Sequence, residues 1–449
     1  MNPRTASPSQ SIWRDLDEDI FRTHLVNLEE RTNAVPLDSQ VFPLPVNIDD
    51  ARTFSIDDEQ KLADAFAFLV AIEQGAQSVA AACLEENLEE QSLVVRFAAI
   101  DTINESLQKS LERIRGTLAV YAAGHGGSQG DELFGLVLGL HKRRILGRLR
   151  SSKWEKPVYL SRTHKKPLWE DFKNLLHRVQ FLYTKKEKLQ RRVVEAEIET
   201  LAKLYKSFEA VAPQSDDEVI SIRNLVKASY GLCTSTTIKD YARRLETVGP
   251  TPQLRSAVKT LRQIEKIAAY YRVTQTLLRA SQRHQTLFQC LEFRYLPPYA
   301  GISTSIGYEE WAKTCHVHAE VQLVVFYDLQ KGQPSATGRV LAPRAIGTSK
   351  YLCYLCYIFL KHHACYPPAN THGRLYDQWT IPDLAEMEDG QKEKYREVLR
   401  VMDQELVEKT ANEPQWRSEP MTSRENLLDA LEDDSSISLW RHSFSHPSE

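Results

Sequence analysis

Two short motifs, His318-Ala-Glu320 and Cys353-Tyr-Leu-Cys356, constrain the fold of this 449-residue chain more than any other feature. One neutral imidazole and two thiolates form a nitrogen and sulfur ligand set that zinc takes in proteins, and they leave the fourth tetrahedral position open. Glu320 adds a carboxylate that stays close to these ligands without having to bind the metal. Either motif alone is common, and a lone C-x-x-C is often a redox pair or half of a structural zinc site. Together, the two motifs predict one metal site, which the fold would have to assemble from both.

The spacing within each motif predicts its local structure. Cys353 and Cys356 stand at positions i and i+3 ahead of the apolar run 357–360, which predicts a helix with both sulfur atoms on one face. A helix that begins near Cys353 also favours thiolates through its N-terminal dipole. His318 and Glu320 can face one metal only if His318 lies at a helix entry and Glu320 in the first turn. The apolar residues that follow Glu320 would suit a buried helix or a strand.

A closed, structural zinc site is the first alternative, because a fourth protein ligand would exclude catalysis. Several side chains near the motifs in sequence could supply that ligand. They are Cys315, His316, His362, His363, Cys365 and His372.

A second alternative combines His316 and His318 with Asp328, a set reminiscent of metalloproteases with an H-x-H motif and a downstream aspartate. The serine and proline that usually lie between those ligands are missing here. The cysteine pair would also have no role, so this interpretation ranks below the first.

Residues 318–323, 346–350, 353–356 and 372–379 together resemble a lineage-expanded fungal family of the cytidine deaminase-like zinc superfamily. The resemblance covers roughly residues 285–385. It implies a C-terminal three-layer α/β/α sandwich.

The same resemblance implies a role for each motif residue. Zinc would be held by His318, Cys353 and Cys356, and Glu320 would act as general acid and base. Leu352 departs from the superfamily pattern, in which proline usually precedes the first cysteine. We therefore expect a different loop shape ahead of that helix, and the substrate cannot be carried over.

The leading hypothesis is a hydrolytic deaminase of a cytosine- or adenine-type base, with zinc-bound hydroxide as nucleophile and Glu320 as proton shuttle. The partner would be a nucleobase, a nucleoside or a single-stranded nucleic acid. The alternative is a catalytically inactive, zinc-stabilised scaffold or binding module with the deaminase fold. Three protein ligands support the enzyme, and four support the scaffold.

Three further residues are candidates for substrate binding. Lys350 could contact a phosphate or could simply be solvated. His372 and Trp379 lie on a predicted strand and could line a pocket, the tryptophan by stacking on a base, although core packing suits a strand tryptophan as well. Thr348 or Ser349 would cap the helix that carries the cysteines.

The charges are distributed unevenly along the chain, which has a formal net charge of -3. Residues 1–110 carry twenty acidic and eight basic side chains, whereas residues 141–166 carry ten basic side chains and one acid, Glu155. The second segment is a candidate surface for a polyanion such as a nucleic acid. Solvated helix faces, or pairing with the acidic N-terminal segment, are the competing explanation.

The hydrophobic pattern divides the chain into four parts and predicts an α/β protein with a mostly α-helical N-terminal region. We expect a loosely ordered arm at 1–45, a helical domain at 46–252, the zinc domain at 253–411 and a tail at 412–449. Apolar residues at helical spacing predict one long helix, straight or bent, over 168–208, and further helices near 218–246, 254–284 and 386–411. Strands are expected at 287–296, 340–346 and 372–381.

Cysteine usage predicts a reducing compartment. Four of the seven cysteines lie between Cys315 and Cys365, a distribution that suits metal chemistry better than a disulfide framework. The N-terminal residues lack an apolar segment, and no stretch reaches the length of a membrane span. We therefore expect a cytoplasmic or nuclear protein that does not enter membranes.

Overall fold

The structure is a computed structural model. It describes residues 1–35, 52–73, 75, 78–124, 126–156, 166–248, 251–331, 340–368 and 370–413. The helices of these residues are α1 (Glu18–Arg31), α2 (Ile56–Val70), α3 (Glu105–Ala122), α4 (Gly126–Leu149), α5 (Phe172–Leu182), α6 (Lys188–Ala210), α7 (Asp216–Thr234), α8 (Thr236–Glu246), α9 (Pro252–Arg283), α10 (Gln285–Gln289), α11 (Ala319–Gln330), α12 (Tyr354–His363) and α13 (Asp389–Ala411). The strands are β1 (Ala80–Asn87), β2 (Ser92–Ala99), β3 (Leu291–Tyr295), β4 (Ile302–Ser303), β5 (Thr314–Val317), β6 (Val340–Leu341), β7 (Gly347–Thr348) and β8 (Trp379–Thr380).

The described residues form two compact units. The α/β unit consists of those within 1–71, 76–126 and 279–424, and the helical unit consists of those within 72–75 and 127–278. The helical unit is therefore an insertion between two parts of the α/β unit. The sequence pattern instead predicts a helical domain over 46–252 followed by a zinc domain over 253–411.

The difference arises at β1 and β2, which lie inside the segment expected to be helical. The eight residues of β1 read Ala-Ala-Ala-Cys-Leu-Glu-Glu-Asn, and all eight are buried. Alanine and glutamate are poor strand formers, and a strand covered on both faces shows no alternation of polar and apolar residues. The sequence pattern therefore does not identify this strand.

The main sheet has the order β3-β2-β1-β6, with β7 also paired to β1. β1 and β2 are antiparallel, with Ala81 opposite Ala98. β2 and β3 are parallel, with Val95 opposite Phe293. Because the parallel partner of β2 comes after the helical unit in sequence, the sheet joins the two parts of the α/β unit.

Helices cover both faces of this sheet. Phe66 of α2 packs edge-on against Phe97 and Phe293 on one face, at ring-centroid distances of 6.4 and 5.6 Å. On the other face, Ala81 and Ala98 belong to one apolar cluster with the buried side chains of α11 and α12. The α/β unit is thus the three-layer α/β/α arrangement that the sequence predicts.

A second sheet, of order β4-β5-β8, positions the start of α11. β5 pairs with β8 in parallel, with His316 opposite Trp379 and Val317 opposite Thr380. β5 ends at Val317, one residue before His318. The register of this sheet therefore fixes where the first motif begins.

Residues 1–35 of the expected N-terminal arm pack within the α/β unit. Met1 donates from its amino group to the Pro298 carbonyl oxygen at 2.6 Å, and α1 buries Phe21, Leu25 and Leu28 in the cluster described above. These three residues recur at helical spacing, a pattern that the surrounding charged residues obscure in the sequence. Residues 36–45 of the expected arm and 414–449 of the expected tail lie outside the described residues.

Several predicted elements are present with different bounds. The long helix expected over 168–208 is interrupted at Tyr183 and Thr184, so that α5 and α6 are separate. The helix expected near 218–246 is divided at Ser235 into α7 and α8. The strand expected over 372–381 is only the two residues of β8. Among the described residues, no helix combines the length and the apolar character needed to cross a membrane.

Candidate metal centre

The two motifs lie at the N-termini of two helices. His318 has extended backbone angles, φ −67° and ψ 155°, and precedes the first residue of α11, so that Glu320 lies in the first turn. Cys353 precedes the first residue of α12 with φ −70° and ψ 165°. Both positions are those that the spacing of the motifs predicts. The element after His318 is the helix rather than the strand alternative.

Cys353 is itself the capping residue of α12. Its sulfur accepts a hydrogen bond from the backbone N–H of Cys356 at 3.4 Å. Thr348 and Ser349, which we expected to cap this helix, bind elsewhere. The Thr348 hydroxyl donates to the Lys350 carbonyl oxygen at 2.7 Å, and the Ser349 hydroxyl accepts from the Ala80 N–H at 3.1 Å.

The hydrogen bonds of Leu352 explain why this position, before the first cysteine of the motif, is not a proline. Its backbone N–H donates to the Asn370 carbonyl oxygen at 3.0 Å, and its own carbonyl oxygen accepts from the Thr371 hydroxyl at 2.9 Å. The Leu352 side chain is fully buried. A proline could not make the first of these bonds, because it has no N–H.

The three proposed ligands converge at a spacing that fits zinc. Nδ1 of His318 lies 3.6 Å from Sγ of Cys353 and 3.4 Å from Sγ of Cys356. Ordinary zinc bond lengths and a tetrahedral angle place a nitrogen and a sulfur ligand about 3.6 Å apart. The ligand atoms of these residues all lie within 4.8 Å of one another. The side chains present therefore fit this metal.

The environment of the two cysteines favours one thiolate before any metal binds. Burial alone would raise the pKa of Cys353, but hydrogen bonds from Cys356 and the neighbouring His318 lower it well below the ordinary value. Burial raises the pKa of Cys356, and the charge of Cys353 raises it further. The pair therefore shares one proton, which a metal ion would displace.

Glu320 lies beside the ligands without joining them. Its carboxylate oxygen Oε2 is 3.5 Å from Sγ of Cys356, and the residue is only 3% exposed. Burial raises the pKa of Glu320, and the adjacent His318 opposes that shift. A buried carboxyl group with a raised pKa is suited to accept and release protons near neutral pH.

Cys315, His316 and His372, the nearest alternative ligands in sequence, do not complete the shell. Within the described ranges, the group of ligand atoms around His318 contains none of them. Cys315 instead accepts a hydrogen bond from Arg22 at 2.5 Å, and burial raises its pKa to about 11. His372 accepts from the backbone N–H of Arg374 at 3.0 Å through Nδ1.

His362, His363 and Cys365, the candidates after α12, have other partners. His362 contacts Glu405 at 3.0 Å, His363 contacts Asp328 at 2.7 Å, and Cys365 accepts from Lys394 at 3.0 Å. The part of the chain that the structure describes thus offers three ligands at this site and no fourth.

The metalloprotease interpretation is wrong for the same reason. Asp328 accepts hydrogen bonds from Tyr395 and Lys331 and contacts His363, so it belongs to a different cluster. In the described residues, His316 and Asp328 do not share a group of ligand atoms with His318.

The predicted substrate-binding residues have different surroundings. His372 is partly buried, and desolvation, reinforced by the charges of Arg374 and Lys350, lowers its pKa to about 3. Its ring lies 6.1 Å from that of Tyr376, which in turn lies 6.4 Å from that of His318. The Tyr376 ring thus lies between His318 and the loop that contains His372. Tyr376 is not identifiable from the sequence, because nothing in its spacing relates it to the motifs.

Trp379 is a core residue. It is 1% exposed, and its ring packs against Phe21 and Phe359 at centroid distances of 6.3 and 6.0 Å. This position leaves no ring face for stacking on a base. The indole Nε1 has no hydrogen-bond partner of ordinary geometry among the described residues, yet its N–H helps to lower the pKa of Cys356. Trp379 therefore packs in the core beside Cys356.

The described part of the basic segment 141–166 makes many contacts within the helical unit. Lys142 pairs with Glu218 at 2.5 Å, and Arg150 pairs with Asp171. Arg148 donates to a backbone carbonyl oxygen at 2.6 Å. These contacts favour internal pairing over a polyanion surface for these side chains. Residues 157–165 lie outside the described residues.

One family model matches the chain. It describes an OTT_1508_deam-like deaminase and covers residues 317–383, which include all four motif residues. No curated protein matches the chain, and no solved structure does. The match supports a deaminase-like domain at these residues and, more generally, the class of hydrolases that act on carbon–nitrogen bonds.

Proposed function

We propose that the α/β unit is a zinc-dependent hydrolytic deaminase of a cytosine- or adenine-type base, either free or within a nucleoside or nucleic acid. One observation carries the proposal. A buried carboxylate that is not a ligand, that of Glu320, lies 3.5 Å from one member of a three-ligand group with zinc spacing.

The ligand shell would consist of His318, Cys353 and Cys356 in this proposal. Zinc bound there would act as a Lewis acid that lowers the pKa of a water molecule in the fourth position. The N-terminal dipoles of α11 and α12 both point at the site and favour the thiolate form of the cysteines. The indole N–H of Trp379 adds a small effect that lowers the pKa of Cys356 and so favours its thiolate.

Glu320 would carry the protons. Its carboxylate accepts one from water and delivers it to the ring nitrogen beside the amino-bearing carbon of the base. A second transfer protonates the amine, which leaves as ammonia while the carbon becomes a carbonyl group. The net reaction consumes one water per ammonia. Burial of Glu320 serves this cycle because it raises the pKa towards the working pH.

The substrate class follows from the reaction and from the ring side chains beside the ligands. Tyr376 and His372 form a row of rings that begins at His318. With a pKa of about 3, His372 is neutral at physiological pH and can only donate or accept hydrogen bonds. An uncharged aromatic base suits such a lining, and Lys350, whose charge acts on His372, would add a positive charge near an attached phosphate.

The test compares Glu320→Gln with the unchanged chain. We expect the variant to keep about one zinc per chain and to lose ammonia release by about a hundredfold or more, because general acid–base catalysis contributes that much. Glu310→Gln is the matched control, since Glu310 is an exposed glutamate in the same unit. Cytidine, adenosine, their phosphates and single-stranded oligonucleotides form the substrate panel.

Two outcomes would overturn the proposal. One is the absence of ammonia release from every member of the panel by zinc-loaded protein, which would leave the scaffold hypothesis. The other is a Glu320→Gln variant with the activity of the Glu310→Gln control.

A further inference from the structure

A second cluster of reactive side chains lies in the α/β unit. Asp328, near the end of α11, groups with His363, the last residue of α12, and with Cys365 just beyond it. Their ligand atoms lie within 4.8 Å of one another. None of the three belongs to the proposed deaminase site, so the chemistry of this cluster is independent of that function.

Asp328 holds the imidazole of His363 in place. One carboxylate oxygen, Oδ2, lies 2.7 Å from Nε2 of His363 and accepts from the Tyr395 hydroxyl at 2.9 Å. The His363 side chain is fully buried. Its other nitrogen, Nδ1, has no hydrogen bond of ordinary geometry within the described residues. The interaction of the ring with the Cys365 sulfur helps to raise the pKa of His363.

The sulfur of Cys365 has a strongly positive environment. Lys394 donates to it at 3.0 Å and Lys331 at 3.4 Å. Ala364 has a left-handed backbone, φ 59°, which ends α12 and turns the chain at Cys365. The His363 contact is the main cause of a lowered pKa of about 6 for this thiol, with Lys394 next among the groups that lower it. The C-terminal dipole of α12 opposes an anion here, so these side chains must supply the stabilisation.

The other titratable groups around this sulfur do not oppose a negative charge on it. Asp328 is neutralised by Lys331, which donates to its Oδ1 at 2.6 Å. Burial raises the pKa of Tyr366 and of Tyr395, so both phenols stay neutral near the sulfur at physiological pH. The net effect favours a thiolate.

A metal ion is a poor alternative for this cluster. The two ammonium groups already bind the sulfur and the Asp328 carboxylate, and a cation between them would be repelled. Cys365 is also solvent-exposed, unlike the buried cysteines of the metal centre. Exposed thiolates beside basic groups react with electrophiles.

We propose that Cys365 is a nucleophilic thiolate, positioned by His363 and Asp328, and that it is a modification site for hydroperoxides. The sulfur attacks one peroxide oxygen and the O–O bond breaks. The sulfur is oxidised to a sulfenic acid, and the second oxygen leaves and takes a proton from the imidazolium of His363 or from solvent. Hydrogen peroxide is thereby reduced to water.

The first test measures alkylation by iodoacetamide with peptide mass spectrometry on the full chain. We expect the rate at Cys365 to rise with a midpoint near pH 6, following its pKa of about 6. At that pH Cys365 should react about tenfold faster than an ordinary thiol, after allowing for the lower nucleophilicity of a weakly basic thiolate. Cys290, which is also exposed, is the internal comparison.

Lys394→Met should move the midpoint for Cys365 upwards, because one of the two ammonium contacts is lost. Lys409→Met is the matched control on the same helix and should leave the midpoint unchanged. A profile for Cys365 that coincides with that of Cys290, or an unchanged midpoint in Lys394→Met, would overturn the proposal.

The second test treats the protein with hydrogen peroxide and traps sulfenic acid with a dimedone reagent. We expect label at Cys365 and several-fold less at Cys290. Equal labelling counts against the proposal. So does a second bound zinc that disappears in Cys365→Ser, since it would make this cluster a metal site.

Discussion

At the scale of single residues, the candidate metal centre depends on the two residues that directly precede α11 and α12. His318 and Cys353 both have extended backbones, which turn their side chains towards the N-terminal end of the following helix. These two placements follow from the sequence, because a motif with a two-residue spacing can face one ion only at a helix entry. The placement of the candidate ligands at two helix entries was therefore predictable from the spacing of the motifs.

The surroundings of the ligands were less predictable. Trp379 was expected to bind substrate or to pack in the core, and only the structure shows its ring between Phe21 and Phe359. Phe21 lies near the other end of the chain, in a segment expected to be loose. Contacts between residues so far apart in sequence leave no periodic pattern from which to predict them.

Leu352 provides a prediction at this scale. Leu352→Pro removes the N–H that donates to Asn370 and replaces a buried side chain. We expect the free energy of unfolding to fall by about 2 kcal/mol or more, from the unpaired carbonyl oxygen of the partly buried Asn370 and from lost packing. Zinc content should fall with it, because this bond shapes the loop before Cys353.

Leu352→Met is the control, since it keeps the N–H and most of the volume and should cost less than about 1.5 kcal/mol. Urea denaturation and metal analysis of the two variants give both quantities. Equal stability of the two would contradict the role assigned to this hydrogen bond.

At the scale of elements, helices were easier to predict than strands. α9 and α13 lie within a few residues of their expected bounds, because long amphipathic helices carry a strong periodic pattern. β1 was missed because alanine and glutamate dominate it, and β7 is too short for any pattern. Such strands are defined by their partners in the sheet.

Gly347 in β7 tests how closely that strand approaches α2. A Cβ atom there would lie 2.1 Å from a backbone carbon of Ala63, so the strand or the helix would have to move. We expect Gly347→Ala to lower the free energy of unfolding by about 1–3 kcal/mol through overpacking.

Gly116→Ala is the matched control. Gly116 lies within α3 with no atom within 4 Å of the added Cβ, so the change should stabilise the protein by about 0.5–1 kcal/mol. Thermal or urea unfolding measures both. A Gly347→Ala variant as stable as the parent would contradict the close contact between β7 and α2.

At the scale of the whole molecule, the α/β unit is discontinuous in sequence. Its sheet needs β1 and β2 from before the helical unit and β3 from after it. Where the chain returns to this unit, Gln282 donates to the Tyr121 hydroxyl at 2.8 Å, so both sides of the insertion meet. The four-part division expected from the sequence does not show this discontinuity. Sequence patterns reveal local structure, whereas the pairing of distant strands leaves no local pattern.

The proposed deaminase function depends on how many protein side chains bind the zinc ion. The full chain contains seven cysteines and thirteen histidines that could compete for zinc. A measurement on the intact protein must therefore count the ligands that zinc selects among them.

Zinc-edge X-ray absorption of the intact, zinc-loaded protein makes that count directly. We predict two sulfur ligands, a single imidazole and one further oxygen from solvent, unchanged in Cys315→Ser and in Cys365→Ser. A third sulfur ligand, or a second imidazole, would close the shell with protein atoms and contradict the account of an open, catalytic zinc site.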